Sequence, residues 1–234
     1  MRTLSTIELL GDSVLQGIQV NPENKRYYKK NDINTALLSK QFKLQFQNDS
    51  RFGCTVTKGS KILTKLLDNG LSCDAIVMDF GGNDCDFKWA EIAANPDGSF
   101  TPHTPIQLFL KEYKQIIQKL KSCGITPILT TLPPLEPQRF FDWWCGTLNK
   151  DNVLKWLGSI ATIYQHQEHY SSQVAMLAAK ENVPLIDIRA AFLAHGSVDT
   201  LICEDGTHPN SNGQRIITDA FYTFFEHYET APTF

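Results

Sequence analysis

Ser13 interrupts an early, strongly apolar run, "IELLGDSVLQGI", as the last residue of Gly11-Asp12-Ser13. Far along the chain, Asp205 and His208 stand three residues apart in "EDGTHPNSNGQ". A serine hydroxyl is a weak nucleophile until a base takes its proton, and histidine is the usual base near neutral pH. The imidazole in turn needs a carboxylate to fix its tautomer and stabilise its charged form. A compact turn can join Asp205 to His208 over that spacing. Attack on a carbonyl also creates an oxyanion, which needs donors already in place. Gly59 in "TKGSK" can offer a backbone N–H without a side chain in the way, and Asn83 in "FGGNDCDF" can offer an amide N–H. The N–H of Ser13 itself, at a helix start, supplies a third donor. Asp12 and Asp84 suit hydrogen bonds that tie down their own loops.

These residues are distant in sequence, so the fold must gather them. Apolar runs at 6–10, 54–57, 75–80, 126–132 and 184–188 read as strands. Amphipathic stretches separate them: 33–47, a helix opening at Ser60 and closing at Gly70, a long helix over 105–122, one or two helices in 151–182, and a last helix over 211–228. That alternation argues for a parallel sheet covered by helices on both faces. Ser13, Gly59 and Asn83 each follow an expected strand, so a parallel sheet delivers all three to one rim. Ligands bind beyond the carboxyl ends of such strands. Two irregular stretches, 85–104 and 133–150, also follow strands and should overhang that rim. In the second, Phe140, Trp143 and Trp144 are candidates to wall a substrate pocket, with packing into the core an equally good use for them.

Gly11-Asp12-Ser13, Gly59, Gly81-x-Asn83-Asp84 and Asp205-x-x-His208 together resemble the four sequence blocks of the SGNH, or GDSL-type, hydrolases, in the order of that family. The resemblance spans residues 11–208. It implies a flavodoxin-like, three-layer α/β/α sandwich around a mostly parallel five-stranded sheet, in a single domain over 1–234. It also implies a metal-free, cofactor-free hydrolysis of esters. Under it Ser13 is the nucleophile, His208 the base, Asp205 its orienter, and Ser13, Gly59 and Asn83 the oxyanion donors. Two positions depart from the family pattern: Val14 stands where Leu is typical, and Thr57-Lys58 precede Gly59 where an Asn is often found.

Composition narrows the partners. The 234 residues are 42% hydrophobic and 20% charged, with a formal net charge of -3, which gives no electrostatic case for nucleic acid. The basic run "KRYYKK" at 25–30 reads as a solvated surface excursion. The six cysteines contain no C-x-x-C pair. The amino terminus has no signal-peptide pattern and no stretch is long enough to span a membrane, so reduced thiols and a cytoplasmic setting are expected. His103, His166, His169, His195 and His227 read as surface or packing residues. The expected substrate is a small soluble ester, with acetylated carbohydrates the preferred example. Competing readings are a lipid-type acylhydrolase (lysophospholipase or thioesterase), a non-catalytic ligand-binding relative, and a metal-dependent phosphoesterase using Asp12, Asp84, Asp205 and His208.

Overall fold

A computed structural model describes residues 4–30 and 33–230. In chain order, β1 (Thr6–Gly11) leads into the one-turn helix α1 (Ser13–Gln16), and β2 (Ile18–Val20) pairs antiparallel with β3 (Tyr27–Lys29) as a small hairpin. Then come α2 (Thr35–Phe42), β4 (Gln45–Asn48), α3 (Val56–Asp68), β5 (Ala75–Asp79), α4 (Trp89–Ala94) and α5 (Ile106–Ser122). The second half holds β6 (Thr126–Thr130), α6 (Pro137–Trp144), α7 (Lys150–Leu157), α8 (Ala161–Glu181), β7 (Leu185–Ile186), α9 (Ile188–His195), a 3-10 turn over Val198–Leu201, and α10 (Ser211–Thr230).

The five-stranded sheet has the order β4-β1-β5-β6-β7, and every pairing in it is parallel. Such an order changes direction beside β1, and the crevice at that switch point is where doubly wound sheets take their ligands. Alternation along the strands sorts their side chains between two layers. Ile76 and Met78 of β5 join Val56, Leu63, Phe109, Tyr113 and Val174 under α3, α5 and α8. Ala75 and Val77 join Leu38, Phe42, Phe192, Ile217 and Phe221 under α2, α9 and α10. A third apolar cluster lies apart from both. Trp89, Ile92, Phe140, Phe141, Val153 and Ile163 join α4, α6, α7 and the start of α8 into a cap.

The expected strand at 54–57 is not a strand. Thr55 caps α3, accepting from Lys58 N at 3.4 Å, and Val56 is already helical. The strand is β4 instead, inside the stretch expected to be helical over 33–47. Leu44 and Phe46 alternate with Gln45 and Gln47, a period of two that suits a half-covered edge strand, and Lys43 in the left-handed region (φ 54) breaks the helix before it. The stretch 133–150 likewise holds a helix, α6, capped by Glu136, whose side chain accepts from Gln138 N and Arg139 N. The expected strand over 184–188 shrinks to two residues, because Asp187 turns the chain into α9. Among the described residues no helix is long and apolar enough to cross a membrane. Residues 1–3, part of the stretch read for a signal peptide, lie outside the described residues.

Candidate active site

Ser13 begins α1 directly beyond β1, and Asp12 caps that turn, its Oδ1 accepting from Val14 N at 2.8 Å. Asp205 and His208 come from the loop before α10. Asp205 Oδ1 accepts from the amides of Thr207 and His208, both at 3.1 Å, which closes the turn foreseen from their spacing. Asp205 Oδ2 is then left 2.5 Å from His208 Nδ1, and His208 Nε2 lies 2.9 Å from Ser13 Oγ. With Nδ1–H donated to the carboxylate, Nε2 presents a lone pair to the serine O–H. All three residues are buried. Burial works to raise the Asp205 carboxyl, but the His208 ring and the two amides overcome it and hold the carboxyl below its ordinary value.

Asn83 sits in the turn after β5 and donates from Nδ2 to Asp12 Oδ2 at 2.8 Å. Asp12 therefore serves both Ser13's turn and Asn83's amide. Burial pushes its carboxyl up to about 6, against the pull of the Val14 amide, His208 and Asn83. His103, exposed as expected for a surface residue, has its Nδ1 3.1 Å from the Asn83 carbonyl. Asp84 faces away from the triad: both its carboxyl oxygens accept from Val56 N, at 3.0 and 3.1 Å, anchoring the start of α3. Burial pushes it up to about 7, with Thr104 and the Val56 amide pulling the other way.

Gly59 is not at the site in the expected role. It lies inside α3, where its N–H donates to Thr55 O at 2.9 Å, so that donor is used by the helix. Its lack of a side chain has a packing reason. A Cβ there would stand 2.2 Å from Cζ of the fully buried Phe80 ring. The first glycine after the true strand is Gly53, in the left-handed region (φ +67), where a Cβ would point toward Asn83 Oδ1 at 3.9 Å. The period-two alternation of residues 44–47 was the signal that would have moved the strand, and the glycine with it, to this place.

Helix geometry divides the aromatic candidates of 133–150. Phe140 and Trp144 are four apart on α6 and share the face that lines the triad cavity, together with Phe52, Leu132, Pro133, Gln167 and Thr207. Trp143 points to the hairpin and donates from Nε1 to the Tyr27 hydroxyl at 3.0 Å. Phe141 is buried in the cap. The "KRYYKK" run is thus more than a solvated excursion. Tyr27 packs edge-on to His208 at 5.3 Å between ring centres, while its hydroxyl accepts from Trp143 Nε1. Phe52 stacks on the His208 ring at 5.8 Å and 22°, and lies against Tyr27 at 5.3 Å. Neither contact was read from the sequence; the turn cluster Asn21-Pro22-Glu23-Asn24 between two short strands was the available hint.

A family model described as the GDSL-like Lipase/Acylhydrolase family matches residues 9–216. The chain belongs to that family. Solved structures with the same fold include a lipase/acylhydrolase from Enterococcus faecalis, 18% identical with a TM-score of 0.65, covering 99% of this chain and 100% of that one. A psychrotrophic esterase, EstA, from Pseudoalteromonas sp. is 14% identical with a TM-score of 0.61, covering 97% and 100%. The acetyl xylan esterase AlAXEase is 22% identical with a TM-score of 0.56, covering 93% and 98%. No curated protein matches the sequence. The Ser13–His208–Asp205 line and the Asn83 turn of this GDSL-family chain fall inside the matched residues. Among the described residues, no group of three or more His, Cys, Asp or Glu side chains is placed to hold a metal ion.

Proposed function

We propose that this GDSL-family hydrolase cleaves carboxylic esters through an acyl-enzyme on Ser13. The unbroken line from Asp205 Oδ2 through the His208 ring to Ser13 Oγ, at 2.5 and 2.9 Å, carries the reading. His208 Nε2 takes the serine proton as Oγ attacks the ester carbonyl carbon. The carbonyl oxygen gains negative charge, and the Ser13 amide, the second hydrogen of Asn83 Nδ2 and the Gly53 amide receive it. Gly53 takes the place first given to Gly59. Collapse breaks the ester C–O bond, and His208 returns the proton to the departing alcohol oxygen. Water, deprotonated by the same ring, then attacks the acyl carbon and releases the acid with Ser13 restored. Asp205 stays ionised throughout and holds the ring in register.

The triad cavity measures about 90 Å³, which favours small acyl groups, acetylated carbohydrates included, over a long lipid chain. A cytoplasmic setting is part of the reading, supported by six free cysteines, four of them buried. The test uses p-nitrophenyl acetate and a fluorophosphonate probe. Wild type is expected to turn over the ester and to be labelled at Ser13, with both lost in Ser13→Ala and neither affected by a chelator. Turnover without labelling of Ser13 would remove the assignment, and neither turnover nor labelling would favour a ligand-binding relative.

A further inference from the structure

Beside the triad cavity lies a second one, of about 120 Å³, walled by Phe87, Trp89, Phe140, Trp156, Leu157 and Ile163 of the cap. Five residues, Gly82, Asp86, Phe140, Gln167 and Thr207, line both cavities, so the two meet at the foot of α6. The walls are chiefly aromatic and set edge to face: Phe87 against Trp156 at 5.0 Å, Trp89 against Phe140 at 5.8 Å. A cavity of roughly this size lined by apolar side chains stays dry and accepts a benzene-sized guest.

Two polar atoms make this chamber more than a packing defect. His166, on α8, lines the chamber, and its Nε2 is buried without a hydrogen-bond partner. An imidazole nitrogen donates or accepts according to the ring's tautomer, so a hydroxyl, which can do both, is the group that satisfies Nε2 in either form. Thr207 Oγ1, where the two cavities meet, is likewise buried and unpartnered. Asp86, the one carboxyl in the lining, is occupied: its Oδ1 accepts from Phe87 N at 2.9 Å and from Trp89 Nε1 at 2.8 Å. Buried polar atoms are nearly always satisfied, so two orphans on residues that line the chamber point to a ligand that satisfies them.

We infer that this chamber is the acyl subsite, taking a single aromatic ring, joined to the ester carbonyl by a short linker, with a ring hydroxyl hydrogen-bonded to His166 Nε2. The inference rests on the proposed esterase reading, because the carbonyl at Ser13 Oγ fixes which end of the substrate enters the cap. An aromatic guest gains edge-to-face contacts with the surrounding rings that a linear chain does not. The hydroxyl matters because a pocket that hydrogen-bonds a substrate OH discriminates strongly against the analogue lacking it.

The experiment compares kcat/KM for p-nitrophenyl acetate, phenylacetate and 4-hydroxyphenylacetate in wild type, Leu157→Trp and His166→Phe. Wild type is expected to favour the phenylacetyl ester over the acetyl ester, and the hydroxylated ring over the plain one, each by roughly tenfold or more. Leu157→Trp, which fills the chamber, should lower the phenylacetate-to-acetate ratio about tenfold, while His166→Phe should bring the hydroxylated-to-plain ratio to about one. Far-UV circular dichroism checks that each variant folds, and either ratio alone decides its part if one variant does not. Equal ratios in wild type and variants, or a wild-type preference for acetate, would overturn the chamber's role. An enzyme that hydrolyses acetate through a labelled Ser13 but ignores the ring leaves the esterase reading standing without this one. Loss of both labelling and turnover instead removes the esterase reading itself.

Discussion

The sheet rim and the cap share one cavity but hold their side chains by different means. At the rim, parallel strands set backbone positions and short hydrogen bonds fix the rest: Val14 N to Asp12, Asn83 Nδ2 to Asp12, and His208 to both Asp205 and Ser13. In the cap, α4, α6 and α7 are held largely by aromatic contacts such as Trp89 with Phe140 and Phe87 with Trp156. Hydrogen bonds specify distance and direction, as proton transfer demands. Apolar packing specifies volume and tolerates repacking, as a pocket for the variable half of a substrate can. A seam joins them. Glu136 N donates to Gly206 O at 2.8 Å, and Gly206 (φ +73) admits α6 so closely that a Cβ would meet Phe140 N at 2.2 Å.

The contrast can be broken most forcefully at the rim. Ser13→Ala should lower kcat for p-nitrophenyl acetate by about 10⁴-fold or more, with the melting temperature little changed. Two glycine variants then separate packing from chemistry. Gly59→Ala should cost about 1–3 kcal/mol of stability by overpacking against Phe80, with kcat of the folded protein retained. Gly53→Ala should cost about 1–2 kcal/mol through its positive φ and lower kcat as well. Urea unfolding alongside kinetics reads both. If Gly59→Ala instead lost activity at full stability, the donor would return to that position.

At the seam, Tyr27→Phe removes the hydroxyl that accepts from Trp143 while keeping the ring beside His208. A neutral hydrogen bond is worth about 0.5–1.5 kcal/mol, so a ring freed to shift beside His208 should lower kcat by roughly threefold with KM little moved. An unchanged kcat would mean that the hairpin only packs against the triad.

A further effect concerns pH and stability. Asp84 has an ordinary value of 3.8 and is held at about 7 in the fold, chiefly by burial. The native state therefore keeps a proton that the unfolded chain releases between those values. Its contribution is fully present below pH 4 and is lost as pH rises toward 7, at up to about 1.4 kcal/mol per pH unit. Wild type should thus lose stability relative to Asp84→Asn between pH 5 and pH 8 in urea titrations. A constant difference between the two would show that Asp84 titrates normally.

Local patterns in the sequence were enough to reveal the parallel α/β architecture, the positions of β1, β5 and β6, and the turn that unites Asp205 with His208. Continuous apolar runs and a three-residue spacing are features of neighbours in the chain, so they need no knowledge of what lies across the molecule. The placement of the second strand was legible too, in the alternation of residues 44–47, but the run Cys54-Thr55-Val56-Thr57 has equal β character, and pairing with β1 is what selects β4. Gly59 shows the limit most clearly. A glycine after an expected strand and a glycine beneath a distant ring are the same letter, and only Phe80, 21 positions away, tells them apart. Tyr27 over His208 and the chamber ending at His166 arose from contacts between segments more than a hundred residues apart or between separate helices. Tertiary structure alone decides those, because side-chain packing depends on the relative position of surfaces that the chain order does not encode locally.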